Sequence, residues 1–389
     1  MTLKLAIRNL LGAGLRTWLN VIVLSSSFII IIWTRGLLAG WDRQAKSDMI
    51  KWEIAGGQYW HKNYDPYDPL SLRLSHGILP DEFSPAISDS SVIPVLITQG
   101  TIYPGGRMLP VIMRGIPPGQ KIIELPTTML RDQEEEVPAL IGSAMAASSK
   151  LKEGDIVTLR WRDKYGTYDA TKAKIVTVFD SNVPTVDVGQ IWLPIEKLRE
   201  MLLLPGEATM LVVKSPLSHI KESDDWIYKD RKALLADLDK MIKSQNAMGT
   251  IMWGILLMMA MLAVFDSQVL SIFRRRKEIG TYVALGMTQA QVVKLFTMEG
   301  AMYSVLAAFV GAIYGIPLLV FQSVNGISIP LKSSDFGVAM TEKLYPVYSF
   351  GLISGTVLVV LLVTIIVSYW PARKIGRLHP TEALRGRIQ

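Results

Sequence analysis

The chain has 389 residues, of which 50% are hydrophobic, 19% are charged and none is cysteine. This composition excludes a disordered chain, a disulfide-stapled secreted module and any chemistry that needs a thiol or thiolate. The net charge of +7 is unevenly spread: residues 42–246 hold 25 Lys and Arg against 28 Asp and Glu, so the basic excess lies in short segments beside apolar runs, a pattern of membrane topology and not of a nucleic-acid groove.

In chain order, Leu3, Ile7, Leu10, Leu11 and Gly14 share one helical stripe with Lys4 and Arg8 beside it. This predicts an amphipathic cytoplasmic or interfacial helix over 1–17, or else a plain extension of the span that follows. The apolar run 18–41, with the core LNVIVLSSSFIIIIW, is the first of four; the others are 247–273, 295–321 and 347–370. Each has the ~20 residues a helix needs to cross a bilayer. The first run is too long for a cleavable signal, is followed by Trp41, and lacks a small-x-small cleavage site. Thirteen basic residues flank the runs at the two ends and in the 274–294 loop, against Glu278 and Glu382. The positive-inside rule then predicts cytoplasmic termini, a cytoplasmic loop at 274–294 and a 371–389 cytoplasmic tail. By parity the 42–246 insert and the short 322–346 loop are expected outside, periplasmic in a bacterial cell.

The insert is long enough for one sizeable domain or two small ones. Strand-like pieces (SVIPVLITQGTIY, MLPVIMRGI, DIVTLRWR, AKIVTVF, MLVVKS) alternate with helix-like ones (SAMAASSKL, LPIEKLREML, DDWIYKDRKALLADLDKMIKSQ). The fold class expected is therefore a membrane protein: four transmembrane α-helices with a large mixed α/β domain inserted between the first and second. Residues 155–170 alternate and turn at Asp163–Gly166, which predicts a protruding hairpin. In the 274–294 loop, EIGTYVALG reads as a short helix ended by Gly286, and Thr288 with Gln291 reads as a capping box opening the next helix.

Catalytic signatures are missing. There is no GxxxxGK[ST], GxGxxG or GxSxG, and His61, His76, His219 and His379 stand without metal-ligand spacing. The Glu134–Glu136 run reads as a solvated loop. No catalytic, metal or cofactor site is expected in the chain. Polar residues in or near the spans are the other candidates. Asp266 reads as a dimer-seam or gating contact, or as an interfacial residue near the inner headgroups. Glu299 stands at the inner mouth of the third span, and Arg35 is expected to reach the outer interface. Met248, Met252, Met258, Met259 and Met261 make the second span adaptable to acyl chains, or are lipid-facing filler. Should a lipid enter between the first two spans, Met252, Ile255, Met259 and Leu262 would line the cavity, with Phe28 and Ile32 opposite. Gly300, Gly311 and Gly315 offer small faces for close helix packing.

Three segments, AIRNLLGAGLRTWL (6–19), RRRKEIGTYVALGMTQAQV (274–292) and YWPARKIGRLHPTEALR (369–385), occur in an order that resembles the permease subunits of type VII ABC transporters, the MacB/LolC/LolE/FtsX-like family. In the insert, VIMRGI, ALIGSAMAASSKLKEGDIVTL and IVTVFDS…VDVGQIWLPIEKLREML resemble the outer domain of lipoprotein-releasing permeases. The resemblance implies a bacterial inner-membrane permease that pairs with a second permease, as homodimer or heterodimer. It also implies a separate ABC ATPase dimer that holds the ATP and Mg and hydrolyses the nucleotide. Arg275, Glu278, Gly280 and Gly286 would belong to the helix that couples to that ATPase. Trp161, Arg162, Tyr165 and Tyr168 occupy the place of a hairpin that contacts a periplasmic carrier. The function implied is mechanotransmission that extracts lipoproteins from the inner membrane toward the outer one. The alternatives are efflux of antibiotics or peptides, and a non-transporting, FtsX-like signal transmitter.

Overall fold

The computed structural model describes residues 15–131, 136–217, 225–328 and 343–375. The helix expected over 1–17, the 322–346 loop, the acidic 134–136 run and the 371–389 tail lie wholly or partly outside these residues, as do His219 and His379.

The chain opens with α1 (Leu15–Met49), closed by a π-helical turn at Ile50–Ile54. Strands β1 (Gly57–His61), β2 (Gly77–Ile78), β3 (Val92–Ile102), β4 (Leu109–Ile116) and β5 (Val137–Gly142) follow, then α2 (Ser143–Ser149). Next come β6 (Ile156–Arg162), β7 (Tyr168–Phe179), β8 (Gln190–Pro194) and α3 (Ile195–Leu202). After β9 (Glu207–Ala208), β10 (Met210–Val213) and β11 (Trp226–Lys229) the chain turns helical with α4 (Ala236–Arg274), α5 (Arg276–Ala284) and α6 (Gln289–Asn325). The short strands β12 (Ile327–Ser328) and β13 (Lys343–Leu344) precede α7 (Phe350–Ile375). Among the described residues four helices, Trp18–Ile54, Ala236–Arg274, Gln289–Asn325 and Phe350–Arg373, are long and apolar enough to cross a membrane. The chain divides into a helical unit, within residues 1–41, 242–328 and 343–389, and a mixed α/β unit within 42–241.

In the helical unit, Val21, Leu24, Phe28 and Ile31 of α1 pack with Leu257, Ala260, Met261 and Val264 of α4, with Tyr303 and Ala307 of α6, and with Val360 of α7. Small residues set the closest approaches. A Cβ on Gly40 would lie 2.2 Å from the carbonyl oxygen of Tyr345, and one on Gly36 2.2 Å from the Tyr348 ring. The Val347 amide donates to the Gly36 carbonyl at 2.9 Å. Gly36-x-x-x-Gly40 is thus a small-residue face on which backbone meets backbone. Gly300 plays the same part between α6 and α7: its Cβ would meet Ser368 Oγ at 2.0 Å.

In the mixed unit, six strands close on themselves. β3 pairs β4, β4 pairs β8, β8 pairs β5, β5 pairs β7, β7 pairs β6, and β6 returns to β3 at Gly100↔Trp161. The first residues of β3 pair instead with β10, which leads on to β1 and β11. Closure leaves Leu96, Val111, Met113, Ile141, Leu159, Trp161, Ile175 and Ile191 in one buried cluster. The other faces of β3, β5 and β8 are buried as well, against Phe179, Val186 and Met210. Burial on both faces explains why VIPVLI and IWLP read as unbroken apolar runs, whereas β6 alternates strictly.

Two expectations for the insert change. WIYK is not helical: Trp226–Lys229 is β11, because Trp226 packs 2% exposed opposite His61 on β1. The helical stretch begins after Asp230, whose carboxylate accepts from the Ala233 amide at 2.7 Å. β1, β5 and β8 lie outside the strand-like pieces read from the sequence.

Candidate functional site

The loop between α4 and α6 is an ordered block. Arg275 stands between the two helices α4 and α5. Its Nη1 donates to both carboxylate oxygens of Glu299 on α6, at 3.1 and 2.9 Å, and its Nε donates to Glu278 at 2.8 Å. The guanidinium also lies 5.4 Å from the centroid of the Phe296 ring. Glu299 is 3% exposed. A carboxylate that deep is tolerated because a guanidinium nitrogen shared by both its oxygens replaces the water it gave up. Beneath the pair, Ile279, Val292 and Phe296 pack with Ile272 and Ala372.

Local chemistry shapes the rest. Leu285 ends α5, and Gly286 takes φ +97°, a left-handed value that favours glycine. Thr288 then opens α6 with the full capping box: Thr288 N donates to Gln291 Oε1 at 2.9 Å, and Gln291 N donates to Thr288 Oγ1 at 3.3 Å. Gly280 is buried on the packed side of α5, while Lys277, Thr281, Ala284 and Leu285 face outward. Leu285 is 79% exposed. The block can therefore present a small apolar tip while its inner side stays tied to α6.

Of the loop residues read from sequence, the structure brings together Arg275, Glu278 and Glu299, buries Gly280 on α5 and uses Gly286 as the turn. Asp266 does not join them: it is exposed on α4, and among the described residues no hydrogen bond or ion pair forms with it. Arg35 donates to Thr356 Oγ1 of α7 at 3.4 Å.

The cavity expected between the first two spans is not assembled. Phe28 (3% exposed) and Ile32 (8%) are buried, and Phe28 meets the Leu257, Ala260, Met261 and Val264 side of α4. Met252, Ile255, Met259 and Leu262 lie on the opposite, exposed side of that helix. The hairpin residues divide likewise. Trp161 is not a surface contact: it is 5% exposed in the closed-sheet core, and its Nε1 donates to the Met201 carbonyl at 2.7 Å. Arg162, Tyr165 and Tyr168 are exposed around the turn, where Gly166 takes φ +90°. Among the described residues no group of His, Asp and Glu could hold a metal ion.

Sequence reading missed Phe296, Gly36 and Gly40. The glycine pair had a visible signal, two small residues four apart in an apolar run; the role of Phe296 had none.

Residues 250–380 match the family described as FtsX-like permease C-terminal. Over 321 residues the chain is 22% identical to the lipoprotein-releasing system transmembrane protein LolC of Xylella fastidiosa, which covers 74% of this chain and 76% of that protein. It is 28% identical over 162 residues to the macrolide export ATP-binding/permease protein MacB 2 of Aeromonas hydrophila, covering 42% of this chain and 22% of that protein. The ABC transporter permease YknZ of Bacillus subtilis is 26% identical over 205 residues, covering 53% of this chain and 47% of YknZ. These matches and the four apolar helices converge: residues 250–380 carry an FtsX-like permease C-terminal domain, in a multi-pass membrane protein with a mixed α/β domain between its first and second spanning helices.

Proposed function

We propose that the chain is the membrane subunit of a machine that releases lipoproteins from the inner membrane, driven by ATP hydrolysed in a separate ABC subunit. The observation that carries the coupling half is the Arg275–Glu299 clamp. A loop tied so firmly to α6 passes a push at its tip into that helix instead of flexing under it. The ATPase, holding ATP and Mg, would dock on Lys277, Thr281, Ala284 and the bare Leu285. The lipoprotein half is supported by the match to LolC, which spans most of both chains. In this reading both termini and the 274–294 loop are cytoplasmic and the α/β unit is periplasmic. A second permease completes the pair, and Arg162, Tyr165 and Tyr168 face a periplasmic carrier. The exposed α4 stripe Met252, Ile255, Met259 and Leu262, and not a cavity shared with Phe28 and Ile32, is the surface offered to acyl chains.

Depleting the protein should mislocalise outer-membrane lipoproteins, and Leu285→Asp should abolish co-purification of the ATPase without lowering the amount of permease in the membrane. Normal lipoprotein sorting after depletion would remove the release reading. The match to MacB supports a second reading, export of a macrolide-like compound. That reading expects drug sensitivity with normal sorting.

A further inference from the structure

The mixed α/β unit carries a groove of about 810 Å³ bounded by the C-terminal half of β3, the start of β4, the end of β6, the start of β7 and the 69–73 turn. Its volume falls in the range of small-molecule sites, roughly 300–1,000 Å³. Arg73, Arg160 and Arg162 all line it. Among the described residues none of the three pairs with a carboxylate, whereas Arg114, Arg199 and Arg275 each do. The acid in the lining, Asp163, is engaged by its own turn: its Oδ1 accepts from the Tyr165 and Thr167 amides at 2.9 and 2.8 Å.

The guanidinium groups of Arg160 and Arg162 are held in place. Arg160 lies 4.3 Å and Arg162 5.7 Å from the centroid of the Tyr168 ring. Arg160 Nη1 donates to the Tyr103 hydroxyl at 3.4 Å, and Arg162 Nε donates to the Gly166 carbonyl at 2.8 Å. Stacking on one ring removes rotamer freedom that a ligand would otherwise have to restrict. Beside these cations the lining holds the apolar Leu70 and Met108, 82% and 68% exposed, together with the polar Thr98, Gln99, Thr101 and Gln190. Single exposed apolar side chains are ordinary on any surface; two that border the same arginine-lined groove give it apolar contact area beside its cations.

We propose that this groove binds an anionic amphiphile, a phosphate or carboxylate carried on an apolar body. Guanidinium forks recognise either anion in a bidentate way, and Leu70 and Met108 cover the apolar part. A phosphorylated lipid fragment and a fatty-acid-like carboxylate share this chemistry. An acidic protein segment is the competing occupant, disfavoured because the site is concave and of small-molecule size. The inference rests on the α/β unit alone; it shares Arg162 and Tyr168 with the carrier-facing surface of the release reading, but its binding test does not depend on lipoprotein sorting.

The test uses the full chain in nanodiscs of phosphatidylcholine, with empty nanodiscs subtracted. The probes are octyl phosphate, octanoate, octyl glucoside, inorganic phosphate and a hexaglutamate peptide. Saturable binding of octyl phosphate or octanoate is expected, with the tighter of the two naming the headgroup, and none of octyl glucoside. Arg160→Ala should weaken that binding about tenfold, as loss of a charge-assisted hydrogen bond implies. Met108→Glu should weaken it as well. Both residues are exposed, so unchanged melting temperatures will show that the variants fold. Equal binding by wild type and Arg160→Ala overturns the proposal. So does inorganic phosphate binding as tightly as octyl phosphate, which would make the site one for the free anion. Binding of hexaglutamate alone would assign the groove to an acidic protein segment and overturn it too.

Discussion

The Arg275 guanidinium grips both carboxylate oxygens of Glu299, 24 residues further along the chain, at 2.9 and 3.1 Å. This pair closes the loop between α4 and α6 into a rigid unit, and the two partners are not equally buried. The Glu299 side chain is 4% exposed and that of Arg275 18%, and Arg275 keeps Glu278 as a second partner.

That asymmetry sets the first prediction. Arg275→Ala leaves a buried carboxylate with no cation and should cost about 3–5 kcal/mol. Glu299→Ala leaves Arg275 with Glu278 and should cost less. Thermal melting of the detergent-solubilised variants and the double mutant measures both costs and their coupling. Equal costs, or coupling near zero, would show that the pair is not what ties α5 to α6.

The glycine face on α1 gives the second. At Gly40 the obstacle to a Cβ is the Tyr345 backbone carbonyl, and at Gly36 it is the Tyr348 side chain. A ring can swing aside and a carbonyl cannot. Gly40→Ala should therefore destabilise the helical unit by about 1–3 kcal/mol, and Gly36→Ala by less. Denaturation in mixed micelles ranks the two; the reverse order would refute the backbone contact.

The third concerns pH. Burial holds the His61 imidazole below its ordinary value of 6.5, with Asp225, His76, Lys62 and Glu207 around it. The unfolded chain then binds more protons than the folded one as the solution becomes acid. Stability is full above about pH 6.5 and falls as pH drops below it. His61→Gln should flatten this acid limb in melting curves recorded between neutral and acid pH. A limb of undiminished slope in the variant would assign the loss to other groups.

Trp161 and Tyr165 supply the fourth. They lie four residues apart across the same turn, one 5% and the other 76% exposed. Trp161→Ala should cost about 3–5 kcal/mol by opening the closed-sheet core, and Tyr165→Ala less than about 0.5 kcal/mol. Chemical denaturation of the two variants decides whether Trp161 serves the core or the surface.

Much of this architecture is legible in one dimension because it depends on local quantities. Run length and the scarcity of charge mark the four spanning helices. Basic flanks mark the loop at 274–294, and Thr288 with Gln291 marks the start of α6, since a cap is satisfied within one turn of chain. The alternation of β6 and the turn at Asp163–Gly166 give the hairpin for the same reason.

The errors share a physical cause. A spanning helix is apolar on every side, so its sequence carries no phase. Which side of α4 meets Phe28 depends on how α1, α6 and α7 pack around it, and that packing turned Met252, Ile255, Met259 and Leu262 outward. Trp226 has the neighbours of a helical residue, but a partner strand 165 positions earlier, at His61, offers burial that a helix could not. Trp161 could be read as an exposed contact until β6 closed against β3 and enclosed it. Composition and spacing along the chain thus established four spans, an ordered loop between the second and third, and an α/β insert. The inward face of each element was settled by contacts between residues far apart in sequence, where burial and sterics outweigh local preference.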